Sequence, residues 1–321
     1  MKNDQAAIAD IREGDEFVGF YVLKRCALKE SEGSYRLEIE LSDKTGSLPG
    51  VVWEDAQLLR EQLVRGEVMK VKGRLSSYKD KPQARIDKIR PAQEGEYPPD
   101  SFIPSTTADC EALVARIMEY IESFRDTHLE QLGKLIFTSS VFMKEFTRVP
   151  GGSQWHHSCL GGLIEHSVAV AEICDWVTKK YPGLNRDLLI LAALLHDVGK
   201  IKELSAKTTI EYSDEGRLEG HLVMGDRFVR NMCERIEGFP PRLKMLLSHL
   251  MLSHHGFHAF SSPVEPMTPE AFVLYYADEI DAKLNALQKI LDTCAEEGKE
   301  WSDFNRILSR YIYAGEKKEK E

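Results

Sequence analysis

Five short pieces of the chain put histidine or aspartate beside small and apolar residues. They are GGLIEHS with His166, LLHDVGK with His196 and Asp197, EGHLVMG with His221, LSHHG with His254 and His255, and YYADEIDAK with Asp278 and Asp281. Nine of the ten histidines fall from His156 to His258, a clustering that scattered core histidines would not produce. Burying each of these groups without a partner would cost several kcal/mol. A shared metal centre removes that cost for all of them. Imidazole and carboxylate together suit manganese, iron, cobalt or zinc better than magnesium, which prefers oxygen alone. The ligand candidates His166, His196, Asp197, His221, His254, His255 and Asp278 are more than one tetrahedral site uses, so two ions are expected, with Asp197 able to bridge them. Such a pair, about 3.5–4 Å apart, clamps a phosphate ester and activates a water. Asp281 shares a helix face with Asp278 and reads as a ligand or as a group behind one. His156 and His157 are candidates for touching substrate or capping the helix of His166, whereas His128, His249 and His258 read as structural or surface residues. Gly151-Gly152 and Gly161-Gly162 read as turns that could let a substrate backbone come close. No glycine-rich phosphate loop, GxSxG elbow or CxxC pair offers a competing chemistry.

These residues need helices to hold them. From about 107 to 313 the hydrophobic pattern is helical throughout, with amphipathic runs from Asp109 to Phe124 and from Glu130 to Phe146. Leu188 to Leu195 is apolar all round, which predicts a central buried helix, and Thr268-Pro269 is an N-cap with proline at the first helical position. Residues 15–91 read instead as strands. Tyr35, Leu37, Ile39 and Leu41 alternate with Arg36, Glu38 and Glu40, Asp43-Lys44-Thr45-Gly46 marks a turn, and 56–65 reads as one short helix. Met69, Val71, Gly73 and Leu75 alternate with Lys70, Lys72 and Arg74, placing three cations opposite a core face. Several short strands with one helix in about 80 residues suit a small closed barrel.

The chain of 321 residues, 42% hydrophobic and 29% charged, is of ordinary globular composition and suits about two domains. Net charge is −10, yet residues 68–90 hold eight basic against two acidic side chains, a place for a polyanion on an otherwise acidic protein. No apolar run approaches the ~18–20 residues of a membrane span, and the N-terminus lacks the apolar region of a secretory signal. Six unpaired-looking cysteines suit a reducing compartment, so a cytoplasmic protein is expected. The expected division is a barrel over 1–95, a proline-rich linker over 96–108, an all-α domain over 109–315 and a charged tail over 316–321.

The run LSDKTGSLPGVVWEDA through VRGEVMKVKGRLSSYKDKPQARIDKI resembles the OB-fold of nucleic-acid-binding proteins. That resemblance implies a groove for single strands, with Tyr35, Trp53 and Tyr78 as candidate stackers and Lys70, Lys72, Arg74 and Lys79 as phosphate contacts. The order His…His-Asp…His…His-His…Asp over about 150–290 resembles the HD superfamily of metal-dependent phosphohydrolases. By that resemblance His166, His196, Asp197 and Asp278 hold one ion, and Asp197, His221, His254 and His255 the other. Lys200 would neutralise a substrate phosphate, and Glu165 would orient a ligand or water. The phrases WHHSCLGGLIEHS, HLVMGDRF and LSHHGFHAFSSPVEPMTPEAFVLYYADEIDAKL extend the likeness to the YhaM-type 3′→5′ exoribonucleases. This implies a manganese-supported exonuclease acting on single-stranded RNA, and on single-stranded DNA as an open second substrate. Two other readings stay open: an HD enzyme of small nucleotides with a regulatory OB module, and a non-catalytic binding protein. Helical HD proteins often associate, so a homo-oligomer also stays open.

Overall fold

The computed structural model describes residues 5–31, 33–78, 81–93, 95–97, 102–153 and 155–315. Lys79 and the tail over 316–321 therefore lie outside the described residues. The chain divides into two compact units, Met1–Pro104 with Ala206–Ile210, and Ser105–Ser205 with Glu211–Glu321.

The first unit is a closed barrel with strand order β1-β2-β3-β5-β4. Its strands are β1 (Glu16–Ser31), β2 (Ser34–Asp43), β3 (Gly46–Val52), β4 (Val68–Tyr78) and β5 (Lys81–Pro91), with α1 (Ala56–Gln62) between β3 and β4. The period-two alternation in β2 turns Leu37, Ile39 and Leu41 inward, where they lie opposite Val52, Gly50 and Leu48. Each such fully buried aliphatic side chain stabilises by about 1.5–3 kcal/mol. The β2–β3 turn closes because Asp43 Oδ1 accepts from the amides of Thr45 (2.7 Å) and Gly46 (3.1 Å). Beyond β5 the chain keeps packing on the barrel: Phe102 is buried against Val22 and Val68, with Tyr97 beside it. That is why this unit reaches Pro104.

The second unit is helical. Its elements before the buried centre are α2 (Cys110–Glu122), α3 (Thr127–Phe137), α4 (Ser140–Phe146) and α5 (Gly162–Lys180). The run expected to continue from Glu130 to Phe146 is two helices, because the Ser139 hydroxyl accepts from the Phe142 amide and starts α4 afresh. α6 (Arg186–Leu195) is the centre, with every residue from Leu188 to Leu195 buried. After it come α7 (Lys200–Glu203), α8 (Asp214–Glu219), α9 (His221–Glu234), α10 (Pro241–Ser253) and α11 (Pro269–Glu297). Thr268 caps α11 by accepting from the Ala271 amide, with Pro269 in the first turn.

The pattern is not helical throughout. A two-stranded hairpin, β6 (Leu204–Ala206) and β7 (Ile210–Tyr212), interrupts it where Thr208, Thr209 and Ile210 concentrate β-branched side chains. Past α11 the left-handed Gly298 (φ 63°) ends the helix, and Trp301 pairs with Tyr313 and Asn305 with Arg310 in antiparallel bridges. Among the described residues no helix is long and apolar enough to cross a membrane.

Candidate metal centre

Each candidate ligand stands at a place its helix makes rigid. His166 is in the first turns of α5, His196 and Asp197 directly follow α6, His221 begins α9, His254 and His255 follow α10, and Asp278 and Asp281 lie within α11. Gly199 brings two of these segments together: a Cβ there would sit 2.0 Å from the His221 carbonyl oxygen, so only glycine lets them touch.

The imidazoles share one orientation. His196 and His254 donate Nδ1–H to the carbonyls of Ala193 and Met251, both at 2.8 Å, within their own helical turns. His221 Nδ1 donates to Glu203 Oε1 at 2.9 Å and His166 Nδ1 to Asp281 Oδ2 at 2.6 Å. With Nδ1–H turned outward, every Nε2 points into the same small volume.

Asp197 is the pivot of that volume. Its Oδ2 lies 3.3 Å from His196 Nε2 and 3.5 Å from His166 Nε2, while its Oδ1 lies 3.4 Å from His221 Nε2 and 3.7 Å from His254 Nε2. Asp278 Oδ1 is 3.1 Å from His166 Nε2, and His255 Nε2 is 3.3 Å from His221 Nε2. All seven predicted ligands are thus brought together, in one set around each oxygen of Asp197.

The donors fit divalent cations. Asp197 Oδ1 and His254 Nε2 are buried without a hydrogen-bond partner, and 3.7 Å is too long for one between them. Burial holds His254 below its ordinary value and pushes His255 down to about 3, so both are neutral and ready as ligands. Burial would raise the Asp197 and Asp278 carboxyls. The Lys200 ammonium and His196 outweigh it at Asp197, and His166 and His196 do so at Asp278, so both stay well below the usual carboxylate range. Burial likewise opposes a proton on His166, but Asp278 and Asp281 hold it up at about 9. A proton on His166 Nε2 occupies the position a cation would take.

Lys200 is buried and donates to Asp197 Oδ2 and to the Gly151 carbonyl, both at 2.5 Å, so its charge holds the pivot from the lining of the cavity described below. Glu165 stands behind the ligands: its Oε2 accepts from Thr106 Oγ1 at 2.6 Å and lies 3.5 Å from His157 Nδ1. His157, 3% exposed, bonds Asp281 Oδ2 at 2.9 Å, the same oxygen that His166 bonds. Thr106, Glu165, His157 and Asp281 therefore form a chain that ends on a metal-ligand candidate. The backbone of His157 is left-handed (φ 43°), and Asn285 Oδ1 accepts from its amide at 3.0 Å. A Cβ on Gly162 would lie 2.0 Å from the His157 carbonyl oxygen, so the close approach made by the glycine pairs is to the chain's own backbone.

Only His156 of that histidine pair reaches the open side. It lines a cavity of about 320 Å³ with Trp155, Lys200, His255, Asp278 and Lys283. The residues missed in the sequence were Glu203, Thr106 and Asn285. Asn285 carried a signal, four residues past Asp281 on one helix face; the other two carried none.

On the barrel, Lys70, Lys72 and Arg74 face outward from β4. Arg74 is paired with Glu16, and the Lys70 ammonium stands 5.2 Å over the Phe20 ring. Trp53 and Tyr78 are exposed, at 54% and 59%, while Tyr35 is half-buried against the barrel core and offers less of its ring.

The family described as the HD domain matches residues 163–283, and the OB-fold nucleic acid binding domain matches residues 23–92. Fold and site thus define the class, an HD-domain protein with an OB-fold module ahead of the metal centre. The 3′-5′ exoribonuclease YhaM of Geobacillus sp. (strain WCH70) is 31% identical over 283 residues, 87% of this chain and 86% of the relative. The chain belongs to the YhaM 3′-5′ exoribonuclease family. Among solved structures, the HD domain of the L. monocytogenes phosphodiesterase PgpH is 16% identical over 42% of this chain and 79% of its own, with a TM-score of 0.27. The second OB-fold domain of replication protein A from Methanococcus maripaludis is 15% identical over 29% of this chain and 99% of its own, with a TM-score of 0.24.

Proposed function

We propose that the helical unit is a metal-dependent 3′→5′ exoribonuclease that releases nucleoside monophosphates from single-stranded RNA, with the barrel gripping the strand. The observation that carries this is the division of donors around Asp197, whose two oxygens face different imidazoles. In this reading two ions would be held, one by His166, His196, Asp197 and Asp278 and the other by Asp197, His221, His254 and His255. Mixed imidazole and carboxylate donors accept first-row divalent ions, manganese in this reading, with iron, cobalt or zinc able to replace it. When bound, such ions neutralise the scissile phosphate and activate the attacking water.

The protein's own groups do the positioning. Lys200 holds Asp197 through Oδ2 and keeps it ionised. Asp281 and Glu203 fix the ring planes of His166 and His221. Trp155 and His156 line the entrance, where a terminal nucleotide can rest while its phosphate reaches Asp197. Water adds across the P–O3′ bond, leaving a 5′-monophosphate and a strand one nucleotide shorter with a free 3′-hydroxyl. Single-stranded DNA offers the same phosphodiester and is a second substrate.

The test is a time course on 5′-labelled single-stranded RNA with manganese, beside a His196→Ala/Asp197→Ala variant. A ladder shortening from the 3′ end, absent in the variant, supports the reading. Intact RNA with metal bound refutes it.

A further inference from the structure

Strand register turns scattered cations of the barrel into a double row. In the antiparallel β4–β5 pair, Lys70 lies opposite Arg90, Lys72 opposite Lys88 and Arg74 opposite Arg85. Val71 and Ile89 between them are buried, so these cations stand on the outer face. Lys88 and Arg85 are three apart, and strict alternation would put them on opposite faces. The bulge between Lys72 and Gly73 leaves Asp87 as an extra residue and returns Arg85 to the face of Lys88.

Like charges directly opposite one another destabilise a sheet, and here three consecutive pairs carry them. The outer pairs are partly relieved, Arg74 by Glu16 and Arg90 by Glu96 at 2.7 Å. The central Lys72–Lys88 pair makes no ion pair among the described residues. On the other flank, β1 places Val18 opposite Lys72 and Phe20 opposite Lys70. A groove of about 540 Å³ runs beside this face, lined by Lys70, Lys72, Lys88 and Arg90, by Val18 and Leu59, and by the carboxylates Glu54, Asp55 and Asp87.

We infer that this double row on β4 and β5, centred on Lys72 and Lys88, is the track along which the barrel holds single-stranded RNA. The inference rests on the exoribonuclease reading above and adds Arg85, Lys88 and Arg90 to the residues that grip the substrate. Successive pairs are about 6.7 Å apart along the strands, close to the span between neighbouring phosphates of an extended single strand. Cations in register with phosphates are what a sequence-independent grip on the backbone needs.

The experiment is fluorescence anisotropy of the full-length, metal-loaded protein with a fluorescein-labelled oligouridylate. Its 3′-terminal linkages are phosphorothioates, so that it is not consumed. Affinity is read against salt for wild type, Lys72→Gln/Lys88→Gln, Lys72→Arg/Lys88→Arg, and a control of equal charge loss elsewhere on the barrel, Lys29→Gln/Lys44→Gln. Losing two phosphate contacts lowers the slope of log K against log salt by about 1.4 in the first variant, because each contributes about 0.7 on single strands. The arginine variant and the control keep the wild-type slope. The melting temperature of the glutamine variant stays level or rises as repulsion is relieved, which separates lost contacts from lost fold. An unchanged slope in the glutamine variant, or an equal drop in the control, overturns the track. Because binding is read without cleavage, that result is independent of the ladder assay, whose failure would instead sink the exonuclease reading.

Discussion

Replacing Asp281 with asparagine tests whether the hydrogen-bonded chain behind His166 sets the metal affinity. Asp281 Oδ2 accepts from His166 Nδ1 at 2.6 Å and from His157 Nε2 at 2.9 Å. An amide oxygen in the same place still accepts both bonds but without the negative charge. A hydrogen bond to a charged group is worth about 1 kcal/mol more than a neutral one, so two amount to about 2 kcal/mol. That corresponds to a roughly 30-fold weaker ion at His166, within the ~10–100-fold range expected when a group supporting a metal ligand is lost. Competition against a fluorescent chelator measures it directly, with the melting temperature of the metal-free protein as the check on folding. The ion near His221 keeps its affinity, since Glu203 orients that side. His157→Ala acts through the same carboxylate, so the double variant loses less than the sum of the two. Wild-type affinity in Asp281→Asn, or equal weakening of both ions, would refute the reasoning.

Three further outcomes follow from the same geometry. Glu203→Ala removes the acceptor of both the His221 amide (3.0 Å) and its Nδ1 (2.9 Å), and weakens the ion on that side about 10–100-fold, read as metal bound per chain by elemental analysis at limiting metal. Gly199→Ala drives a methyl group to 2.0 Å from the His221 carbonyl oxygen; a loss of about 2–4 kcal/mol is expected by urea unfolding, and an unchanged midpoint would show that the two segments can part freely. His166 titrates near 9 against 6.5 unperturbed, because Asp278 and Asp281 outweigh its burial. The group is raised, so its contribution to metal-free stability is fully present below about pH 6.5 and fades as pH climbs through about 9. Metal binding must expel that proton, and calorimetry near pH 7.5 in buffers of different ionisation heat reads about one proton released per chain at that site; none released would contradict the assignment.

Local spacing in the chain was enough for β2 and β4 of the barrel and for naming the metal-ligand candidates. Leu37, Ile39 and Leu41 could only face one way on a strand, and Leu188 to Leu195 could only be buried. Thr268-Pro269 starts α11 through an interaction complete within four residues. The break at Ser139 and the hairpin around Thr208 were harder to read, because a hydrophobic rhythm carries across a short turn without marking it.

Only the folded chain decided how the candidate residues are used. The sequence left Asp281 between two roles. Tertiary packing sets it against His157, 124 residues away, and so behind His166. Lys200 has the right type for a substrate phosphate, and tertiary packing sets its ammonium against Asp197 and the Gly151 carbonyl in the lining of the cavity. The cations of β4 could be read as one exposed face, whereas Arg85 joins Lys88 and Arg90 on the matching face of β5 because a bulge shifts the register by one residue. Sequence periodicity fixes which side of its own element a residue takes. Which distant partner meets it there depends on long-range packing and register, and these belong to the whole chain.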